Sequence, residues 1–444
     1  GEVIVDLDFS NILHKQLDIE GIDIRNGVFN SRDLIPQLGI NGRLGLLHLD
    51  RKDTDLKNSL ARLSGAAIEG CDLDISMRDT LIVDTTESAP IPWTIQIGQI
   101  GIRDSRIGFR TAGDTLAVST DIKNAHLSGG DIRLEDGVYT VNTLGIDIDT
   151  LSLAMKDSTG TSICISLPAT SLGAEGLKLD TTAVSLTTFR ISTGSHEEPQ
   201  SLISGDLYMD FNAFTPQSKG RLSTNINTSL AHSDLLCIAQ DFIPEDLAKV
   251  YPTLPLNAHI TVHGNIDSIC IDTLHLSMPT AIDIQAKGYV ADALVENGMK
   301  AHLLWDASTM NLDFIRRYLG YSDIHIPHMN LSADTKIQGN KYWADALLEQ
   351  GKGTLHAKAH LDIDNMSYIA NMHAKEIDIR NFLPKDSIGL LTLSADISGH
   401  GTDPLSKATG VKAIVDLKHL EYKKWDVDNA RLTALLKRGK ATVE

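Results

Sequence analysis

Two pairs of histidines have a spacing that could hold a metal ion. His259 and His263, and likewise His356 and His360, are four residues apart. This spacing places two imidazoles on one face of a helix, where they could bind zinc, and residues i and i+4 of a strand also share a face. Both pairs occupy the polar positions of alternating segments, and no cluster of Cys, Asp or Glu supports them. We therefore interpret them as solvent-facing histidines.

Two pairs of acidic residues resemble the paired carboxylates of glycosidases. They are Asp147 with Asp149 and Asp362 with Asp364. One carboxyl group of such a pair acts as an acid while the other acts as a base or nucleophile. Both pairs again fall on the polar positions of strand-like segments, where acidic side chains keep sheet edges soluble. We expect no catalytic role for them.

Other catalytic signatures are weak or missing in the sequence. The strings His400-Gly401-Thr402 and Gly160-Thr161-Ser162 echo fragments of subtilisin-like proteases, but their order is reversed and their flanking residues differ. Neither a Walker A loop nor a suitably placed dinucleotide-binding glycine motif occurs. The sequence predicts that the protein is not an enzyme and uses no cofactor and no metal.

The four cysteines give no sign of a metal site or a disulfide framework. They contain no CxxC pair, and their wide separation supports none of the three possible pairings. We expect isolated, half-buried small residues at Cys71, Cys164, Cys237 and Cys270.

Composition narrows the class of protein. The 444 residues are 42% hydrophobic and 22% charged, and 58 acidic residues against 40 basic ones give a net charge of −18. This balance argues against nucleic acid as a partner and against broad adhesion to anionic lipid surfaces. No segment has the length of a membrane-spanning helix or the features of a signal peptide. Both ends of the sequence read as strand, so we expect a segment of a longer protein.

Strand-like alternation is the dominant pattern. In IQIGQIGIRDSRIGFR (95–110), apolar residues alternate with polar or very small ones, which predicts strands with one apolar face. The apolar parity changes along this stretch, and we interpret Arg103–Arg106 as a turn between two strands. Glycine, asparagine and aspartate punctuate the runs as hairpin turns would, for example at 128–131, 135–137 and 297–299. Further alternating segments lie at 144–155, 256–263, 274–284, 355–363 and 411–417.

Helical signals are few and short. Residues 311–320 place Leu312, Ile315 and Leu319 on one stripe, and 233–252 predict two short helices, the second entered through Pro244. Residues 10–17 and 31–38 each fit a turn or two of helix. Residues 54–67 are ambiguous between helix and strand.

A faint internal repeat supports a reused strand module. Residues 256–265, 331–340 and 393–402 align without gaps, and each is an alternating strand with glycine in the ninth place. Their unequal spacing argues against a strict solenoid. We predict one continuous β segment over 1–444, with a weak subdivision near 193–232.

An apolar sheet face must be covered by something. A second sheet would give a sandwich, but aromatic residues are only 5% of the chain and compact domain breaks are lacking. The few short helices cannot cover so many strands. The remaining solution is a sheet curled into a trough with an apolar lining, which lipid chains could fill.

Several stretches resemble proteins of the TamB/AsmA-like family. In 95–110, Ile102, Ser105, Ile107 and Phe109 fill the places of a recurrent strand phrase of that family. Residues 7–30 are similar to its short helix before a strand pair. Residues 390–432 resemble its strand, Gly-x-Gly-x-Asp-Pro turn and following strands.

The resemblance implies an all-β fold in which an elongated, curved antiparallel sheet forms a β-taco groove with an apolar interior. Such proteins are tethered to the inner membrane, stand in the periplasm and are implicated in moving phospholipids towards the outer membrane. The implied partners are phospholipid and, through parts of the parent chain outside this segment, an outer-membrane barrel assembly protein; nucleic acid is not among them.

Two alternatives to lipid conduction remain open. The trough or its edge could bind strands of outer-membrane proteins as a scaffold or chaperone, or the chain could be a β-helical surface enzyme. For the lipid groove, the predicted lining residues are Ile95, Ile97, Ile102, Ile107, Phe109, Ile146, Ile148, Leu153, Ile260, Val262, Leu276, Ile284, Leu361 and Ile397.

Overall fold

The protein is all-β, and its described residues form 24 strands and a few short helices. This confirms the predicted fold class. The computed structural model describes residues 1–8, 18–30, 38–55, 58–77, 92–111, 115–156, 162–194, 199–215, 220–238, 243–320, 323–403 and 406–444.

The described strands in the first half are as follows. They are β1 Glu2–Asp8, β2 Asp18–Asn30, β3 Leu38–Asp55, β4 Leu60–Glu69, β5 Asp72–Met77, β6 Thr94–Arg110, β7 Leu116–Arg133, β8 Val138–Lys156, β9 Ser162–Leu179, β10 Ala183–Gly194, β11 Pro199–Asp210 and β12 Leu222–Leu230, with a 3-10 helix at Phe211–Phe214.

Two helices, α1 His232–Ile238 and α2 Glu245–Val250, precede the second set of strands. The remaining elements are β13 Leu256–Gly264, β14 Ser268–Met278, β15 Ile282–Ala291, β16 Lys300–Thr309, α3 Asp313–Tyr318, β17 Met329–Gln338, β18 Lys341–Gln350, β19 Gly353–Asp362, β20 Ser367–Asp378, a 3-10 helix at Ile379–Asn381, β21 Ile388–His400, β22 Gly410–Tyr422, β23 Trp425–Lys437 and β24 Lys440–Val443.

The chain divides into two compact units. Unit 1 comprises 1–211 with 226–243, and unit 2 comprises 212–225 with 244–444. In unit 2, each strand from β13 to β24 pairs antiparallel with its sequence neighbour. In unit 1 the pairing is also antiparallel, except where β6 runs parallel to both β4 and β5.

The segment 95–110 is one continuous strand, so the predicted turn at Arg103–Arg106 is wrong. It forms β6, which pairs with β7 along its whole length. Asp104 has a positive φ of 47° inside this strand, which is a local irregularity rather than a reversal. The predicted turn at 128–131 is wrong for the same reason, because Gly129 has a φ of 63° within β7.

These irregularities explain the changes of apolar parity. Gly98 in β6 lies opposite Gly129 in β7, and these two residues are not paired although their neighbours on both sides are. Each of the two strands therefore has one extra residue at the same level. A Cβ placed on Gly130 would lie 3.2 Å from Cβ of Ile97 and 3.5 Å from Cδ2 of Leu127. Apolar side chains before and after the irregularity therefore lie on the same face of the sheet.

A second line of irregularities crosses β2 to β6. Asn26, Gly70 and Asp104 all have positive φ, and the Gly70 N–H donates to the Arg103 carbonyl. Ser105 completes the arrangement, because its hydroxyl accepts from the Cys71 N–H at 3.1 Å and donates to the Arg103 carbonyl at 2.8 Å. Its residue is only 4% exposed.

The short helices agree with the sequence where the structure describes them. α1 and α2 lie within 233–252 apart from the first residue of α1, and Pro244 is the N-cap of α2. α3 lies within 311–320, and the Asn311 side chain accepts from the Asp313 N–H. The ambiguous stretch near 60 is strand β4. The helices predicted at 10–17 and 31–38 lie outside the described residues, apart from Leu38, which begins β3.

The three glycines of the internal repeat share one role. Gly264, Gly339 and Gly401 have φ values of 139°, 59° and 76°, and each lies at the end of its strand. A side chain is unfavourable at positive φ, so glycine is suited to these chain reversals.

Candidate functional site: an apolar sheet face in each unit

In unit 1, the predicted lining residues lie on one face of the sheet. Cross-strand register aligns them in rows that run across neighbouring strands. Ile97 and Ile148 are buried, and most of the other members are half-buried. The rows include Leu63–Ile97–Gly130–Val141, Ala61–Ile95–Ile132–Tyr139, Ile68–Ile102–Ala125–Ile146–Leu172, Ser105–Ile122–Ile148–Thr170, Leu73–Ile107–Thr120–Leu151 and Ile75–Phe109–Val118–Leu153.

The same holds in unit 2. Here too the predicted lining residues point to the apolar face of the sheet, and cross-strand pairing aligns them in rows. The rows are Ala258–Leu276–Ile284–Ala307–Leu331, Ile260–Leu274–Ala286–Trp305–Ala333 and Val262–Ile271–Gly288–Leu303–Thr335. Leu361 and Ile397 lie further along this face, on β19 and β21.

Unit 2 also contains a patch of small side chains that the sequence analysis did not identify. We name it the alanine floor, and it spans the middle of β17 to β20 on the apolar face. Larger side chains border it on both sides, with Tyr342 and Leu348 separated by six residues, or about 20 Å along the strand. The alanine floor consists of Ala333, Ala344, Ala346, Ala357, Ala359 and Ala370, with Thr335 and Met372 at the two remaining positions between its borders, which are Ile337, Tyr342, Leu361 and Tyr368 on one side and Leu331, Leu348 and Leu355 on the other.

The apolar faces are incompletely covered. Leu361 is 39% exposed, and Ala359 at the centre of the alanine floor is also exposed. The chain has 27360 Å² of accessible surface, whereas a compact protein of its mass would have about 16,500 Å². Among the described residues, part of each apolar face therefore remains in contact with solvent.

Helix α1 is fixed to the apolar face of unit 1 by a buried carboxylate. Asp234 is 4% exposed and accepts hydrogen bonds from the hydroxyls of Thr193 and Ser201, the latter at 2.6 Å. Thr193 and Ser201 are opposite each other on β10 and β11, on the same parity as Ile191 and Ile203. The Ser201 hydroxyl also accepts from the Ala231 N–H, just before the helix. The polar network thus holds a short helix over an otherwise apolar surface.

The opposite face carries cross-strand pairs of histidine and aspartate. Both predicted histidine pairs lie here, and His263 and His356 have side chains 48% and 44% exposed. Their interpretation as solvent-facing residues is confirmed for these two, while His360 stacks on Trp343 with ring centres 4.9 Å apart. The pairs are His48–Asp23, His263–Asp272, His275–Asp283, His302–Asp334, His356–Asp345 and His419–Asp428.

The acid pairs have structural partners. Asp147 accepts from the Ser171 hydroxyl at 2.8 Å. Asp362 accepts from the side chain and the backbone N–H of Asn365, and these hydrogen bonds, the side-chain one first, lower the pKa of Asp362. Asp364 accepts from the Asn340 side chain. The Asp147 contact joins β8 to β9. The contacts of Asp362 and Asp364 stabilise the turn between β19 and β20 and join it to the turn between β17 and β18.

None of the four cysteines forms a disulfide bond in the part of the chain that the structure describes. Cys71 is buried, and burial is the main reason that the pKa of its thiol is raised. Cys164 is exposed, and the Cys237 thiol lies 2.8 Å from the Ser166 carbonyl.

The polar face of unit 1 has a wide depression of about 1100 Å³. Gly145 and Gly173 lie on its floor, and His126, Glu175 and Arg190 are among the side chains that surround it. A Cβ on Gly145 would meet the His126 ring at 2.0 Å, so this imidazole lies over the glycine. The charges around the depression are of both signs and select no ligand.

One cluster of metal-binding residue types escaped the sequence analysis. Among the described residues, His419, Glu421 and Asp426 are a group whose ligand atoms all lie within 4.8 Å of one another. They come from both strands of the β22–β23 hairpin. The signal was present as His-x-Glu before the turn and Asp-x-Asp after it, in HLEYKKWDVD (419–428).

No protein-family model and no curated protein sequence matches the chain. In the part of the chain that the structure describes, no helix has the length and hydropathy needed to cross a membrane.

Proposed function

We propose that the apolar sheet faces bind phospholipid acyl chains, and that the chain is part of a periplasmic groove that conducts lipid between two membranes. The observation that carries this proposal is the apolar face in each unit, parts of which remain exposed among the described residues, as at Leu361 and Ala359. We further propose that the chain belongs to a longer protein with an inner-membrane tether and an outer-membrane barrel partner, as the sequence resemblance implies.

The chemistry of the apolar faces suits a hydrocarbon ligand. Rows of Ile, Leu, Val and Ala offer contact area without hydrogen-bonding groups, so they select no headgroup and no particular position along a chain. Each methylene removed from water contributes about 0.8 kcal/mol. A fatty-acyl chain can therefore be held strongly and still move in small steps.

The alanine floor offers the best-defined position for an acyl chain. Its small side chains leave space between the bordering rows, and Ala359 is exposed there. A chain that lies across β17 to β20 would contact the alanine methyl groups below and Tyr342, Leu361 and Leu355 at the sides.

Site-specific photocrosslinking tests the proposal. A benzophenone amino acid replaces Ala359 on the apolar face or Lys358 on the polar face, and the purified chain is incubated with vesicles of phosphatidylethanolamine and phosphatidylglycerol. Because neighbouring residues of a strand point to opposite faces, the two probes differ mainly in the face they report. We expect lipid adducts from position 359 and few or none from position 358.

Unit 1 provides an independent pair of positions. Ile102 is on the apolar face and Arg103 follows it on the polar parity. We expect lipid adducts from 102 and not from 103. Equal labelling at both members of each pair would show that lipid meets the surface without using the apolar face.

A scaffold for outer-membrane protein strands remains the second candidate. The same probes distinguish it, because unfolded outer-membrane protein added in place of vesicles would then give peptide adducts while lipid adducts would be missing at 102 and 359.

A further inference from the structure

We propose that the β22–β23 hairpin of unit 2 binds a divalent transition-metal cation through His419, Glu421 and Asp426, with Asp428 orienting the histidine. The inference does not depend on lipid binding, because these residues lie at a hairpin end.

The register of the hairpin brings the ligand types together. His419 pairs with Asp428, and Glu421 pairs with Asp426 two residues nearer the turn. Residues two apart on a strand point to the same face, so the four side chains form a square on one face. Their position on paired strands fixes the spacing of the Cβ atoms before any ligand arrives.

His419 is oriented for coordination. Its Nδ1 lies 2.8 Å from Asp428 Oδ1, so the protonated Nδ1 donates to that carboxylate and Nε2 remains available. A carboxylate that fixes the imidazole in this way is the usual outer partner of a metal-binding histidine. The other described His–Asp pairs bond the aspartate through Nδ1 or Nε2, but are not part of a group of three ligand residues.

Glu421 and Asp426 would supply oxygen ligands. Within the described residues, Glu421 makes its contacts through Oε2, which accepts from the Leu390 N–H at 3.2 Å and lies 3.6 Å from Arg380 Nη2. Its other oxygen, Oε1, is therefore available to a cation. Two like charges placed directly opposite on paired strands destabilise a hairpin. A bound cation would convert that repulsion into attraction.

The ligand set indicates the class of metal. One imidazole nitrogen and two carboxylate oxygens suit Zn²⁺ and its neighbours better than Ca²⁺ or Mg²⁺, which prefer oxygen ligands alone. Ligand atoms around tetrahedral zinc are roughly 3.4 Å apart at bonds of about 2.1 Å. The three residues each have a ligand atom within 4.8 Å of the others, so small movements of these side chains can bring a binding arrangement together.

Calorimetric titration of the metal-stripped 444-residue chain with zinc chloride at pH 7.5 tests the site. We expect one site per chain that is weakened at least ~10-fold by His419→Ala and by Asp426→Asn, and ~10- to 100-fold by Asp428→Asn. The matched control is His263→Ala, which removes a histidine whose Nδ1 also lies 2.8 Å from an aspartate of the neighbouring strand, Asp272. It should leave zinc affinity unchanged.

Circular dichroism of each variant establishes that the sheet is retained, and Asp426→Asn is the mildest change because it preserves the shape of the side chain. The proposal is overturned if the wild-type chain binds no zinc, or if His419→Ala and His263→Ala have the same effect, since the chain would then bind zinc through scattered histidines.

Discussion

The hydroxyl group of Ser105 explains why a serine occurs in the middle of the segment 102–109. Ser105 occupies a position of the strand that faces the apolar side of the sheet. Its hydroxyl accepts a hydrogen bond from the Cys71 N–H and donates one to the Arg103 carbonyl. Both groups lie where Asp104 interrupts regular pairing. The serine therefore satisfies the Cys71 N–H and gives the Arg103 carbonyl a second hydrogen bond beside the one from the Gly70 N–H.

Replacing this serine should destabilise unit 1. Ser105→Ala leaves the buried Cys71 N–H without its acceptor, which costs about 1–3 kcal/mol. Urea unfolding followed by circular dichroism measures the change. Ser119→Ala on the polar face is the control, and we expect it to change stability by less than about 0.5 kcal/mol. Equal effects of the two substitutions would contradict this role for the hydroxyl.

His48 should titrate above its ordinary range. The hydrogen bond to Asp23 is the largest cause of its raised pKa, and Asp50 adds to it. A raised pKa in the folded state means that protonated His48 stabilises the fold. This contribution is complete below the unfolded pKa of about 6.5 and is lost as pH rises through the folded value.

Proton NMR of the imidazole resonances checks the titration of His48. We expect its midpoint above the ordinary histidine value of about 6.5. Asp23→Asn should lower the His48 midpoint. A midpoint that does not respond to Asp23→Asn would contradict the assigned cause.

At the scale of elements, the long strands keep their apolar side chains on one face because extra residues occur opposite each other in neighbouring strands. Each inserted residue would turn the following side chains to the wrong face if the sequence did not change parity at the same place. Gly98, Gly129 and Gly176 illustrate this in β6, β7 and β9, where the latter two have φ values of 63°. A Cβ on Gly98 would lie 2.4 Å from the Ser64 carbonyl oxygen, so the neighbouring backbone requires glycine there.

The irregularity in β6 predicts an ordering of substitutions at Asp104. Its φ of 47° disfavours β-branched side chains more than aspartate and disfavours glycine least. We expect Asp104→Val to be less stable than Asp104→Gly by about 1–2 kcal/mol in urea unfolding. The same stability for both variants would contradict a left-handed residue at this position.

Helix α1 should depend on one carboxylate. Asp234→Ala leaves the hydroxyls of Thr193 and Ser201 without their acceptor, and a hydrogen bond to a charged group contributes about 1.5–3 kcal/mol. Hydrogen exchange of residues 232–238 should accelerate. Ser233→Ala removes only a 3.4 Å contact and should have little effect. Unchanged exchange in Asp234→Ala would show that apolar packing alone holds the helix.

Sequence alone predicted the strands, their apolar parity and the described short helices, because alternation and caps are local signals. It misread Arg103–Arg106 because aspartate at positive φ is typical of turns as well as of strand irregularities. It missed the alanine floor because that feature arises only from the register of four strands. It missed the His419 cluster because its ligands lie on opposite sides of a hairpin.

At the scale of the whole molecule, the chain leaves far more surface in water than compact packing would. Its 27360 Å² of accessible surface includes apolar faces that comparable proteins bury against a second layer. The net charge of −18 and the polar opposite face help to keep such a chain soluble. An apolar ligand is the simplest cover for the remaining faces.

Mass spectrometry of organic extracts from the purified chain tests this account most directly. We predict that phospholipid co-purifies with the wild-type chain, that Ala359→Asp on the alanine floor lowers the amount, and that Lys358→Asp on the polar face leaves it unchanged. Both variants must retain the circular dichroism of the sheet. A folded wild-type chain without phospholipid, or equal lipid in the two variants, would contradict the central claim.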